Sequence, residues 1–188
     1  MKILKVLESL VLYPIFFLLL NMLGNTIPNW LLFTPKIFLY DQHQIRLGSF
    51  DIVLFLYGLV LFTRGMIALA QITKENHQAR EKGATNPTRL LTEGKYESVR
   101  HPMYATFILL YVSLFIPTRS IYGLLICLVQ CMLLYFNARY EDKKVLKPLF
   151  QKTYEQYCQQ TKKLFFTISD KLFLVTGFAI LAIGFFCN

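Results

Sequence analysis

The residues best equipped for chemistry cluster between Asn86 and Tyr104. There a polar loop, punctuated by Pro87 and Gly94, runs directly into an apolar stretch that starts at Met103. Proline is accepted in a helix's first turn, because the N–H it lacks would have no partner there. The spacing therefore predicts a helix beginning at Pro102, with Arg100 and His101 at its N-terminus. Free backbone N–H groups and the helix dipole make such a position favourable for a carboxylate or a phosphate. Gly94 lets the preceding loop turn tightly or approach a ligand closely. Each residue also has a plainer use: Arg100 could reach lipid headgroups, His101 could cap the helix, and Tyr96 and Tyr104 could be interfacial aromatics.

A second basic residue stands apart. Arg64 interrupts the apolar stretch Ile52–Ile72. An ionisable residue inside a membrane span is costly and points to function, although Arg64 lies close enough to one end of the stretch to snorkel out. Glu8 has a similar place in the first apolar stretch and reads as interfacial. The cysteines, Cys127, Cys131, Cys158 and Cys187, form no CxxC pair, and His43, His77 and His101 are scattered, so no metal site is expected.

The elements that must position these residues follow from composition. The chain has 188 residues, 55% hydrophobic and 16% charged, with a net charge of +9. Soluble domains carry roughly 45–50% apolar and about 25% charged residues. The apolar residues here fall in blocks near the ~20-residue length that crosses a bilayer. Five spans are expected: about Leu4–Leu23, Ile52–Ile72, Met103–Ile116, Ser120–Asn137 and Leu172–Cys187. The first resembles a signal peptide, with Lys2 and Lys5 ahead of the apolar run, but Asn21–Asn25 offers no small-residue cleavage site, so it is expected to be a retained anchor. Only Pro117-Thr118-Arg119 separates the third and fourth, which predicts an antiparallel hairpin. Trp30–Tyr40, flanked by Pro28 and Pro35, reads as interfacial or re-entrant.

Basic residues orient the chain. Lys2 and Lys5 lie at the N-terminus, six lie from Lys74 to Arg100, seven from Arg139 to Lys163, and Lys171 precedes the last span, which makes sixteen of the 20 Lys and Arg on one side. Lys36, Arg46 and Arg119 fall on the other. The N-terminus and both long connections are therefore expected in the cytoplasm and the C-terminus opposite. This topology accounts for the positive charge, so nucleic acid is not an expected partner, whereas anionic lipid is. The Arg139–Thr161 segment carries Val145, Leu146, Leu149, Phe150, Tyr154 and Tyr157 on one face, which predicts an interfacial amphipathic helix, broken or kinked at Pro148.

The loop string, Leu91-Thr92-Glu93-Gly94-Lys95-Tyr96-Glu97-Ser98-Val99-Arg100-His101-Pro102-Met103-Tyr104, resembles a signature of the isoprenylcysteine carboxyl methyltransferase and phospholipid methyltransferase superfamily, L-V-x-x-G-x-Y-x-x-V-R-H-P-M-Y. Downstream, Arg139-Tyr140-Glu141-Asp142 with Leu146, Phe150, Tyr154 and Tyr157 is similar to that superfamily's second block. In that block an acidic pair precedes Phe-Gly and two tyrosines. Asp142 stands for the second Glu, Gln151 for the Gly, and the spacing from Glu141 to Phe150 is one residue longer. The resemblance covers about 52–165 of a single 1–188 unit, with an additional C-terminal span at about 172–187.

The apolar blocks predict an all-α polytopic membrane protein of about five transmembrane helices, and the resemblance adds a cytoplasmic cofactor pocket. The resemblance implies methyl transfer from S-adenosylmethionine to a lipidic or lipid-anchored acceptor, foremost carboxyl O-methylation of a prenylated cysteine. Phospholipid N-methylation, or a non-catalytic lipid-binding scaffold that keeps the fold, are the alternatives. Arg100, Glu141 and Arg64 would be catalytic, with Arg100 or Arg64 holding an acceptor carboxylate. Gly94, Tyr96, Arg100, His101, Pro102, Tyr104, Glu141 and Asp142 would bind cofactor. A methyl sulfonium is already activated and a carboxylate already ionised, so positioning supplies much of the acceleration.

Overall fold

A computed structural model describes residues 49–79, 88–118 and 121–186. The expected first span and the Trp30–Tyr40 segment lie outside the described residues. The described part is all-helical: α1 (Ser49–Gln78), a single turn α2 (Lys95–Ser98), α3 (Pro102–Phe115), a 3₁₀ turn (Ile116–Thr118), α4 (Ile121–Glu141), a π-helical turn (Asp142–Leu146), α5 (Lys147–Gln160) and α6 (Ile168–Phe186).

At 30 residues, α1 is about 45 Å long, against a hydrocarbon layer of about 30 Å. Its last turns therefore project beyond the apolar stretch and carry Lys74, Glu75, Asn76 and His77 towards the α2–α3 loop. The other three expected spans in the described region also form helices, at α3, α4 and α6. Among the described residues α1 alone is both long and apolar enough to cross a membrane by length and composition. With 14 residues, α3 falls short of a full crossing.

α3 is the central helix, with ten of its residues buried. It runs antiparallel to α1: a Cβ at Gly58 would stand 2.8 Å from the Ser113 carbonyl, and one at Gly65 would stand 2.7 Å from a Leu110 methyl. Farther along α1, Asn76 reaches Met103. Small residues let membrane helices approach until their backbones nearly touch, which is where their packing attraction arises. α6 uses the same device against α1, with Gly177 facing Tyr57 and Gly184 facing Phe50. Leu54, Leu61, Ile72 and Ile116 are the fully buried side chains of this packing.

The expected hairpin forms, with Pro117 in the 3₁₀ turn and α4 returning along α3. The amphipathic segment departs from expectation in detail. Pro148 sits in the first turn of α5, between two irregularities. These are the π turn just before it and Gln151, whose φ of 44° and ψ of −118° interrupt the helix. These two breaks rotate the face, so Tyr154 and Tyr157 are buried while Leu149 is exposed.

Candidate active site

The chain enters α3 through a tightly held loop. Gly94 has φ 62° and ψ −124°, a conformation that essentially only glycine adopts without strain. A Cβ there would also clash with Glu75 Oε1. After α2, Val99 is extended, and the Arg100 and His101 N–H groups donate to the Lys163 and Leu164 carbonyls at 3.0 and 2.9 Å. The connector between α5 and α6 is thus tied by its backbone to this stretch. The amide N–H groups of Arg100 and His101 are therefore already taken. A segment distant in sequence occupies those two donors, so an anion at the start of α3 would have to use other groups.

Behind the loop, Asp142 gathers the basic side chains at the junction of α4 and the π turn. Its Oδ1 accepts from His101 Nε2 at 2.6 Å and from the Tyr154 hydroxyl. Its Oδ2 faces Arg100 Nη1 at 3.5 Å and Arg139 Nη1 at 3.9 Å. Burial alone would raise the Asp142 pKa. The bonds from His101 and Tyr154 and the neighbouring positive charges outweigh it and hold the carboxyl below the usual range. Burial and the Asp142 carboxylate push the Tyr154 hydroxyl up, so it stays a proton donor.

An ionised carboxylate can only accept, so His101 must carry its proton on Nε2. Its Nδ1 then lies 3.9 Å from Glu141 Oε2 on the other side of the ring. The ring is 4% exposed and is steadied by Tyr104 and Phe165, at centroid distances of 5.6 and 6.3 Å.

In front of the loop is a small cleft, partly open to solvent. Tyr96, Arg100, His101, Tyr104 and Glu141 line its polar side, together with Asn76, Arg89 and Tyr157. Leu90, Leu91, Met103, Leu146 and Phe150 line the apolar side. Arg100 Nη1 donates to Cys158 Sγ at 3.3 Å, and its Nε is buried without a partner among the described residues.

Of the residues expected from sequence, Tyr96, Arg100, His101, Tyr104 and Glu141 thus share one cavity. Gly94 shapes its loop. Pro102 starts α3, and Asp142 stands behind the wall rather than in it, its oxygens committed to protein groups. Arg64 is elsewhere. It pairs with Asp170 at 2.8 Å, donates to Ser169 and lies over the Phe173 ring. Eleven residues along α1 separate it from Glu75, about 16 Å.

Sequence reasoning passed over Glu75, Asn76 and the polar use of the two tyrosines. Asn76 accepts from the Tyr96 hydroxyl at 2.8 Å, and Glu75 Oε2 is buried without a partner among the described residues. Their only signal was being polar one turn beyond an apolar stretch, which any span's end shares. Tyr154 and Tyr157 were legible as an apolar face, whereas their hydroxyls bond Asp142 and the Tyr96 carbonyl.

No curated protein and no solved structure matches the chain. Residues 49–154 do match the phospholipid methyltransferase family. That stretch is more than half of the chain and contains the Gly94–Tyr104 loop, α3, α4 and the acidic pair. The cavity is therefore built almost wholly from matched residues. The chain belongs to the phospholipid methyltransferase family, membrane methyltransferases of the isoprenylcysteine and phospholipid methyltransferase superfamily that generally use S-adenosylmethionine.

Proposed function

We propose that this chain transfers a methyl group from S-adenosylmethionine to the amine of a membrane lipid at the cytoplasmic face. The observation that carries the reading is the 2.6 Å bond between His101 and the buried Asp142. The cavity suits the donor. Arg100 Nε is a buried hydrogen-bond donor with no partner among the described residues, so it can take the donor's carboxylate. Glu141 is a half-buried carboxylate on the same wall, able to take ribose hydroxyls or an ammonium. Tyr96 and Tyr104 offer ring faces to a cation or a base. When bound, the donor supplies an electrophilic methyl carbon on a positively charged sulfur.

An amine acceptor is an ammonium ion at neutral pH and must lose a proton before its lone pair can form the N–C bond. With Nε2–H fixed on Asp142, His101 Nδ1 is the atom that takes that proton. Asp142 then stabilises the charge that develops on the ring, as positioned carboxylates do for catalytic imidazoles. Arg64, paired with Asp170, has no part in this reading.

A second reading, carboxyl O-methylation of a prenylated cysteine, follows from the loop signature, and the unpartnered Arg100 Nε favours it as a carboxylate clamp. One pair of experiments separates the possibilities. Titration of the detergent-solubilised protein with S-adenosylhomocysteine should show binding that Arg100→Ala and Glu141→Ala weaken. A folded parent that fails to bind removes the methyltransferase reading. Membranes incubated with methyl-labelled donor should then yield base-stable label in phospholipid. Base-labile label on prenylated cysteine would transfer the assignment to O-methylation.

A further inference from the structure

We infer that residues 157–166, lying beyond the family-matched stretch, form a positioning strap that holds the cofactor loop in its binding shape; the inference rests on the methyltransferase reading above. The strap grips both halves of the loop. The Tyr157 hydroxyl donates to the Tyr96 carbonyl at 2.7 Å, and Thr161 Oγ1 donates to the Glu97 carbonyl at 3.2 Å. The Lys163 and Leu164 carbonyls accept from the Arg100 and His101 N–H groups. Phe165 then turns inward, packing against the His101 ring and edge-on to Tyr135 at 6.2 Å.

Other bonds fix the loop's side chains: Tyr96 to Asn76, and His101 and Arg100 to Asp142. The loop's backbone depends on the strap, because Gly94 is flexible by nature and α2 is a single turn with no buried residue. Four hydrogen bonds from one ten-residue segment hold the Tyr96 and Glu97 carbonyls and the Arg100 and His101 N–H groups. Thr161 and Tyr157 are themselves buried, 7% and 4% exposed, so water does not compete for their hydroxyls. The strap is tied at its other end as well. Thr167 and Asp170 cap α6 with reciprocal bonds, and the Arg64–Asp170 pair anchors α6 to α1. This gives the last helix a purpose the family match leaves open: it fixes the far end of the strap.

The test uses the full chain with Tyr157→Phe and Thr161→Val, which remove one donor each and keep the shape. Hydrogen–deuterium exchange of the ligand-free protein should quicken in the 95–101 peptide. The dissociation constant for S-adenosylhomocysteine should rise about fivefold per variant, the fold-change expected for one hydrogen bond. Thr161→Ser should restore both values, and Lys147→Ala, which breaks an exposed pair with Glu155, should change neither. Unchanged exchange in the 95–101 peptide would overturn the strap. Faster exchange with unchanged affinity would overturn its positioning role. A parent that exchanges as expected but binds no S-adenosylhomocysteine would instead sink the methyltransferase reading.

Discussion

Asp142 was legible in the sequence as an acidic residue near Glu141, but its role was not. The family resemblance implied a cofactor ligand, whereas its oxygens face His101, Tyr154, Arg100 and Arg139. No local pattern reveals that the helix end carrying it comes within hydrogen-bonding reach of a loop 41 residues earlier. Replacing it tests the dyad directly. Asp142→Asn keeps the size, but sets an amide N–H₂ towards Arg100 and removes the charge that steadies the imidazole. Initial rates at saturating donor should fall about 100-fold if the acceptor is an amine. A loss under tenfold would favour an acceptor that brings no proton. Stability should respond to pH in the matching direction. The fold lowers the Asp142 pKa, so its contribution is complete above the unfolded value of about 3.9. Below that the unfolded chain binds more protons, and the contribution disappears as pH falls through the folded value. Melting curves from pH 7 to 3 should drop at the acid end for the parent and less steeply for Asp142→Asn.

At the scale of elements, α3, α4 and α6 begin and end within a few residues of where apolar length and Pro102 put them, whereas α1 runs six residues past its expected end and the single turn α2 was not expected. The irregular turns are where the sequence was opaque. The spacing from Glu141 to Phe150 is one residue longer than the related signature, and a π turn, Asp142–Leu146, falls within that interval. A π turn holds one more residue than an α turn, and such single turns gather at functional sites. The insertion is thereby absorbed locally, and Tyr154 still reaches Asp142. Deleting Lys144 should convert the π turn to an α turn and leave S-adenosylhomocysteine affinity within about threefold. Deleting Lys152 should rotate Tyr154 and Tyr157 by about 100° and abolish binding. Equal loss from both deletions would mean the π turn is needed for its own shape. Gln151 is the second irregularity. Its φ of 44° suits glycine, which the related signature carries there, and a side chain in that conformation costs about 1 kcal/mol or more. Gln151→Gly should raise the melting temperature, and a fall would show that the glutamine side chain contributes more than its strain costs.

At the scale of the molecule, the cavity lies at one end of the helices. The C-terminal turns of α1 and α4, the N-terminus of α3 and the strap all meet there, so an acceptor headgroup and a water-soluble donor would approach from the same side. That end is also where sequence places the basic connections, so the net charge of +9 makes the orientation of the cavity an expectation that can be tested. The lysines at 143, 144, 147, 152, 162 and 163 frame this end. Near anionic lipid each can add about 1 kcal/mol of attraction, which would draw α5 and the strap against the headgroups whose amines are the proposed substrate. Orientation is therefore a functional prediction. A single cysteine placed at Lys152, with Cys127, Cys131, Cys158 and Cys187 replaced by serine, should resist a membrane-impermeant maleimide in intact cells and react once the membrane is permeabilised. Labelling in intact cells would put the cavity on the outer face, away from the cytoplasmic supply of S-adenosylmethionine, and would break the link between charge, topology and methyl transfer.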